Sequence, residues 1–217
     1  MYDIRLQVGA RSTAIATSLA DLYPSLHFVV QMCETEPPRA LTPLRSPLAT
    51  PQFSRGSTPS LIPSELRQSL SSRIIVQQRA LGTPQNVHDA AVYILHLPSA
   101  SPRLPSQSVL AQTTAELRAH IGVLRANSSA TLVLTARLLP EPGAIDPDIE
   151  AIARLQDLSL VQLTNEQEIQ APEVMDMLNS VRDRTGRLVL VSKLCSRNNA
   201  TIAFEIRYQT YADRHDI

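Results

Sequence analysis

Along this chain the apolar positions switch between a period of about two and a period near 3.6, which predicts strands alternating with helices. Residues 4–8 (IRLQV) read as a buried strand. A helical pattern follows over 12–22, with Ile15, Leu19 and Leu22 at helical spacing, and Pro24 ends it. Residues 27–31 (HFVVQ) form a second strand, so the opening is a right-handed strand–helix–strand unit. Further strands are predicted over 73–78, 91–97 (AVYILHL) and 131–136 (TLVLTA). The run at 91–97 is apolar nearly throughout, as expected for a strand covered on both faces. Helices are predicted over 109–125, 148–163 and 172–183. In the second, Ile149, Ile152, Leu155, Leu158 and Leu163 fall on or near one face, and Pro172 suits the first turn of the third. Two strands, 187–194 and 201–208, close the chain, with Asn198-Asn199 in the hairpin loop between them. The order predicts an α/β fold, a doubly wound sheet with an antiparallel hairpin at one edge.

One stretch breaks the pattern. Residues 37–63 hold seven prolines among many Ser and Thr. Such a composition buries too little apolar surface to offset chain entropy, so a mobile insertion is expected there, followed by a short helix at 64–70. Four Ser/Thr-Pro steps lie inside it, at Thr42, Ser46, Thr50 and Thr58. These are either ordinary linker composition or acceptors for proline-directed kinases. A phosphate at each would add about −1.5 to −2 charges.

Composition narrows the picture. The chain has 217 residues and 43% hydrophobic residues, enough for one domain over 1–217 with a real core. Twenty basic and twenty acidic side chains cancel, which argues against gripping nucleic acid or an anionic membrane unaided. The charge is nevertheless segregated. Residues 37–79 carry six arginines and one acid, and residues 140–183 carry ten acids and two arginines. These are either two solvated faces or two surfaces with different partners. Cys33 and Cys195 lack metal-ligand spacing and are expected as free thiols. No signal peptide or long apolar span is visible, so an intracellular, soluble protein is expected, without metal or membrane. Because the first strand starts almost at residue 1, a preceding domain is also expected.

Strand, glycine turn and helix is the arrangement that holds a nucleotide-like ligand, but it needs several glycines so that backbone can approach closely. Here the turn reads Gly9-Ala10-Arg11-Ser12-Thr13, with one glycine.

The layout resembles the class I, Rossmann-like methyltransferase fold, and the sequence is similar to fungal O-methyltransferases. The stretches that carry the likeness are LQVGARSTAIATSLADLYPSLHFVVQ, DAAVYILHL, LLPEPG, EAIARLQDLSL and TNEQE. That resemblance implies an acid before the turn, where Gln7 stands. It implies a glycine-rich turn, where Gly9 is followed by Ala10 and Arg11. It implies an acid for the ribose hydroxyls after the second strand, where Met32 follows VVQ and Glu34 and Glu36 come late. It implies a His-Asp base after the fourth strand, where Pro98-Ser99-Ala100-Ser101-Pro102 has no titratable side chain. His96 is expected as a packed or hydrogen-bonded core residue, and His120 with Glu116 as a surface pair. Glu141 and Glu150 remain but do not make a transferase alone. The cofactor site at Gln7, Gly9, Arg11 and Met32 is therefore expected to be degenerate, with no catalytic residue.

A closer resemblance lies in VGARS…YPSLHFVVQ, DAAVYILHLPSASP, AELRAHIGVLRANSSATLVLT, LQDLSLVQLTN and SRNNATIAFEIRYQTYAD. These are similar to the transcriptional co-activator family of fungal aflatoxin and sterigmatocystin clusters. The likeness implies a non-catalytic, methyltransferase-like co-activator that works with a binuclear zinc-cluster transcription factor, without cofactor. It implies action in the nucleus, with the cytoplasm as a second location. It also implies that this chain is the C-terminal half and that the family's helical, winged-helix-like N-terminal half is absent. The competing reading is an S-adenosylmethionine-dependent O-methyltransferase acting on an aromatic polyketide. A pocket that merely holds a polyketide is a third, though 4% aromatic content offers little to stack on a flat ring system. A damaged gene product would show the same losses. Partner-binding residues, target genes and oligomeric state are not read from the sequence.

Overall fold

The computed structural model describes residues 4–8, 13–33, 72–195 and 200–212. The turn at 9–12, the Pro-rich stretch with Thr42, Ser46, Thr50 and Thr58, the expected helix at 64–70 and the Asn198-Asn199 loop lie outside the described residues, so those expectations stay as stated.

Among the described residues the elements are β1 (Ile4–Val8), α1 (Ala14–Leu22), β2 (His27–Cys33), β3 (Ile74–Arg79), β4 (Val92–Leu97), α2 (Ser106–Ala126), β5 (Thr131–Arg137), α3 (Pro147–Thr164), α4 (Ala171–Ser180), β6 (Gly186–Cys195) and β7 (Thr201–Thr210). They form one sheet in the order β3-β2-β1-β4-β5-β7-β6. The first five strands in that order run parallel, and β7 enters antiparallel between β5 and β6. The expected doubly wound sheet is present, with the hairpin closing one side. The strand order reverses beside β1, where Leu6 lies between Val29 of β2 and Tyr93 of β4. In open α/β sheets the crevice at that reversal is where ligands bind.

The pleat sends alternate side chains to opposite faces. On one face Phe28 and Val30 pack against Ala16 and Ala20 of α1, with Met32 and Ile74 at the margin. On the other, Val29, Tyr93, Leu95, Leu97, Leu132, Leu134, Phe204 and Ile206 pack against Val109, Leu117 and Leu124 of α2 and Val174 and Leu178 of α4. Each large apolar side chain fully buried there contributes about 1.5–3 kcal/mol. Among the described residues the second core is the larger.

β4 differs from expectation. Tyr93, Leu95 and Leu97 are buried, but Val92 and Ile94 are half-covered and His96 is exposed. Its α1-side face is only partly roofed, so an apolar run here does not mean two covered faces. α2 begins at Ser106, three residues earlier than its apolar pattern suggests, because Pro105 can cap a helix without a backbone donor. α4 stops at Ser180, where Val181 turns extended.

Candidate functional site

The carboxyl ends of β1, β2 and β4 lie at the strand-order reversal, where open α/β sheets hold their ligands. At the end of β2, Met32 is half-buried and packs on the α1-side cluster, so it presents a thioether where a ribose clamp needs an acceptor. Gln31, one residue before, points to the other face and is fully buried. Its amide nitrogen donates to Gln85 Oε1 and Asn86 Oδ1, each at 2.9 Å, and its carbonyl accepts from Gln85 Nε2 at 2.9 Å. Both amide hydrogens are used within the protein, and the full burial of the side chain closes its carbonyl oxygen to a ligand from solvent.

Gln31 belongs to a buried polar network that sequence reasoning missed. The segment between β3 and β4 carries no helix. It runs back along α2 instead, with Gln85 N–H donating to Ala119 O at 3.1 Å. Gln85 Nε2 also reaches His120 Nε2 at 3.1 Å, while His120 Nδ1 lies 2.6 Å from the carbonyl oxygen of Glu116. The second contact needs a proton on Nδ1, so Nε2 accepts and the ring is neutral. Burial is the main reason that its pKa falls to about 4. The Glu116 carbonyl pulls the other way, and Arg79 adds to the depression. One turn along, Glu116 pairs with Arg79 and accepts from Gly82 N–H, and Arg79 also donates to Thr83 O. Tyr93 completes the group. It donates to Val87 O at 2.8 Å, and its ring meets His120 edge-on at 5.5 Å between centroids. Desolvation, with Asp89 nearby, pushes its phenol up to about 12.

Two histidine expectations are thus corrected. His120 and Glu116 are not a surface pair. Both are buried, and the Glu116 carboxylate faces Arg79 rather than the imidazole. The partners that offset their burial, Arg79 and Gln85, come from far away in sequence. His96 is not a core residue. It is exposed, on the partly roofed face of β4, with Nδ1 3.1 Å from Thr135 Oγ1.

The residues matching methyltransferase motifs hold the protein's own backbone. After β4, Ser101 and Leu104 exchange two backbone hydrogen bonds of 2.9 Å and close a tight turn where a catalytic base would stand, and Ala100 is buried. Glu166 caps the start of α2 through Ser106 Oγ at 2.7 Å and Ser106 N–H at 3.2 Å. Glu150 accepts from Arg154 at 2.8 Å and from Gly143 N–H at 2.7 Å, and these bonds, Arg154's first, lower its carboxyl pKa. Asp157 accepts from Glu168 N–H at 2.8 Å, and Arg154 reaches Pro140 O at 3.2 Å. Glu141 is exposed. A depression with a cavity volume of only about 10 Å³ lies nearby, lined by Arg137, Leu138, Leu139, Ala153, Gln156 and Glu168. That is far below the roughly 300–1,000 Å³ of ordinary small-molecule sites. Of the described residues at the end of β2, Met32 offers no strong acceptor for a ribose hydroxyl and Gln31 is buried away from one. The side chain of Gln7 and the residues Gly9 and Arg11 lie outside the description. Cys195 is exposed with a free thiol. Among the described residues there is no cluster of metal-ligating side chains.

No protein-family model matches the chain. Among curated proteins it is 41% identical to the monodictyphenone cluster transcriptional coactivator mdpA of Emericella nidulans. That match takes in 95% of this chain and 48% of the relative. It is 44% identical to the dothistromin biosynthesis regulatory protein aflJ of Dothistroma septosporum, over 94% of this chain and 45% of the relative. It is also 44% identical to the geodin cluster transcriptional coactivator gedD of Aspergillus terreus, over 94% and 50%. The chain thus spans about half the length of the curated relatives it matches. Among solved structures it is similar to the methyltransferase CalO6, with a TM-score of 0.57 at 16% identity, covering 94% of this chain and 56% of that one. It is similar as well to the mitomycin 7-O-methyltransferase MmcR, with a TM-score of 0.56 at 17% identity over 96% and 49%. A third is LepI, solved in complex with SAM, with a TM-score of 0.55 at 13% identity over 95% and 43%. At these identities the likeness shows the fold alone, a class I methyltransferase fold.

Proposed function

We propose that this chain, homologous over nearly its whole length to coactivators of fungal secondary-metabolite clusters with which the aflatoxin-type family fits, is a non-catalytic transcriptional coactivator of such a cluster. The observation that carries the reading is the end of β2. There the buried Gln31 amide is bonded to Gln85 and Asn86 and Met32 is packed against α1, which supports an enzyme fold kept without its cofactor clamp. The degenerate site at Gln7, Gly9, Arg11 and Met32, the absence of a resident cofactor and action in the nucleus are parts of this proposal. So is the partner, a binuclear zinc-cluster transcription factor of the same gene cluster. Direct grip on nucleic acid is not part of it, given zero net charge. The Pro-rich stretch is a mobile insertion in this reading, with Thr42, Ser46, Thr50 and Thr58 as phosphate acceptors. No helix among the described residues is long and apolar enough to cross a membrane.

The test is co-purification of the full chain with the cluster's transcription factor, paired with transcript levels of the cluster in a strain lacking the gene. A specific complex and a silenced cluster are expected. Normal transcript levels without the gene would overturn the proposal. The second reading, an O-methyltransferase acting on an aromatic polyketide, is favoured only by the fold that the chain has in common with methyltransferases. Saturable S-adenosylmethionine binding would support it.

A further inference from the structure

The polar network around His120 has a fixed direction, set by two backbone groups at its ends. The Glu116 carbonyl can only accept, so His120 Nδ1, facing it at 2.6 Å, carries the proton and Nε2 is left to accept. The Val87 N–H can only donate. It draws Gln85 Oε1 towards it at 3.0 Å and so turns Gln85 Nε2 to His120 at 3.1 Å. Gln31 completes the set, donating to Gln85 Oε1 and accepting from Gln85 Nε2, each at 2.9 Å. Both hydrogens and both lone pairs of the Gln85 carboxamide are thereby used, and the arrangement closes only on a neutral imidazole. Gln85 and His120 are buried, so solvent does not absorb a mismatch between them.

A second proton on His120 sets two donors against each other, its own Nε2–H and the Gln85 amide. Gln85 cannot answer by turning over, because its amide would then face the Val87 N–H and the Gln31 amide. His120 is built into α2, Gln31 into β2, and Tyr93, whose ring meets His120 edge-on, into β4. Residues 80–91 belong to no helix or strand. Their hold on the fold is largely polar. Glu116 accepts from Gly82 N–H and Arg79 donates to Thr83 O. Gln85 N–H donates to Ala119 O at 3.1 Å, and Tyr93 donates to Val87 O at 2.8 Å. Their apolar anchorage is Ala90 and the half-buried Val87, while Leu81 is exposed. Segments with few buried apolar contacts open at a lower free energy than the whole fold. We propose that residues 80–91 are a latch that undocks from α2 as a unit when His120 takes up a proton, ahead of global unfolding. The charged and titratable groups around the ring are Arg79 from β3, Glu116 on its own helix and Tyr93 from β4, with Asp89 of the latch near Tyr93. The Glu116 carboxylate is engaged by Arg79 rather than by the ring, so it does not stabilise an imidazolium. Undocking releases the Gln31 amide at the carboxyl end of β2. The latch needs no partner, since all its contacts lie within the chain.

Amide hydrogen exchange of the full chain, followed by NMR and corrected for intrinsic rates, tests this. The amides of Gly82, Gln85 and Val87 report the latch, and that of Leu134 in β5 reports global unfolding. The latch amides are expected to open with a much smaller urea dependence than Leu134. The His120 pKa is about 4 in the docked latch and near the ordinary 6.5 once undocked, so latch opening is expected to rise about twentyfold from pH 7 to pH 5. His120→Gln keeps a polar side chain there without a titrating group, and is expected to flatten that rise to less than about twofold. If that variant does not fold, His120→Asn takes its place. Latch amides that exchange only together with Leu134, at the same urea dependence, overturn the latch. Latch opening in wild type that does not rise between pH 7 and pH 5 overturns His120 as its trigger, and so does an equal rise in the variant.

Discussion

The guanidinium of Arg79, at the end of β3, and the carboxylate of Glu116, in α2, form an ion pair with side chains only 5% and 3% exposed. The pair ties the segment after β3 to the helix that roofs the larger core, because Glu116 also accepts from Gly82 and Arg79 donates to Thr83 O. Removing one partner leaves an uncompensated buried charge, which typically costs about 3–5 kcal/mol. Glu116→Gln is therefore expected to lower unfolding free energy by an amount in that range in urea titrations. Replacing both by apolar residues, Arg79→Met with Glu116→Leu, is expected to cost clearly less than the sum of the single changes. Additive costs would mean that the two groups do not stabilise one another.

His120 predicts an acid-side loss of stability. Its folded pKa is about 4, below the usual value near 6.5, because burial disfavours the imidazolium. The folded state then binds fewer protons than the unfolded chain between those values. Its contribution is complete above pH 6.5 and is lost as pH falls towards 4, amounting to roughly 3 kcal/mol across the window. Glu168 works in the opposite sense, since burial raises its carboxyl pKa, so a variant comparison is required. His120→Gln is expected to be less stable at pH 7.5. Its urea midpoint should fall less than that of wild type between pH 6.5 and 4.5. Parallel curves for the two proteins would show that His120 does not titrate in this window.

The parts of this architecture visible in the sequence are those that depend on neighbours in the chain. The period-two runs at Ile4–Val8 and Thr131–Arg137, and the hairpin strands at Gly186–Cys195 and Thr201–Thr210, follow from local side-chain alternation. What was not legible depends on contacts far apart in sequence. His120 reads as a surface residue because its partner Gln85 lies 35 residues away, in a segment with no periodic signal of its own. The stripe of α3 was visible as a stripe, but its direction was not. Amphipathicity gives a helix two faces, and which one docks was decided by Arg154, Asp157 and their backbone partners. The loss of an acceptor at Met32 was readable directly, whereas the burial of Gln31 against Gln85 and Asn86 was not.

Gly186 is needed where the last hairpin begins. A Cβ built there would collide with the Gln209 carbonyl oxygen and lie 2.6 Å from the Tyr208 ring. The carbonyl is in the β6–β7 ladder and has little freedom to retreat. Gly186→Ala is expected to destabilise the protein by about 1–3 kcal/mol, as overpacking in a tight site does. A melting temperature within a degree of wild type would contradict this.

Tyr208 also reports on Asp183. Its hydroxyl donates to Asp183 Oδ1 at 2.8 Å, and Thr185 and Gly186 donate to the same oxygen. Burial raises the Asp183 pKa, but these bonds outweigh it and hold the carboxyl at about 2. The folded pKa is depressed, so the stability it brings is present above the ordinary value near 3.9 and is lost as pH falls through 2. In carboxyl-carbon NMR titration Tyr208→Phe is expected to move the Asp183 midpoint upward. An unchanged midpoint would assign the depression to Thr185 and Gly186 alone.

Cofactor titration bears on the end of β2. With the Gln31 amide bonded to Gln85 and Asn86 and Met32 turned to the α1 side, no described side chain there accepts a ribose hydroxyl. Calorimetry with S-adenosylmethionine is expected to give no saturable heat. Met32→Glu is expected to lower stability, by roughly 1–3 kcal/mol, through partial burial of a carboxylate against the apolar cluster of Ala16, Ala20, Phe28 and Val30. Micromolar binding by wild type would mean that the turn at 9–12 alone suffices to hold the cofactor, and would restore methyl transfer as the reading of this fold.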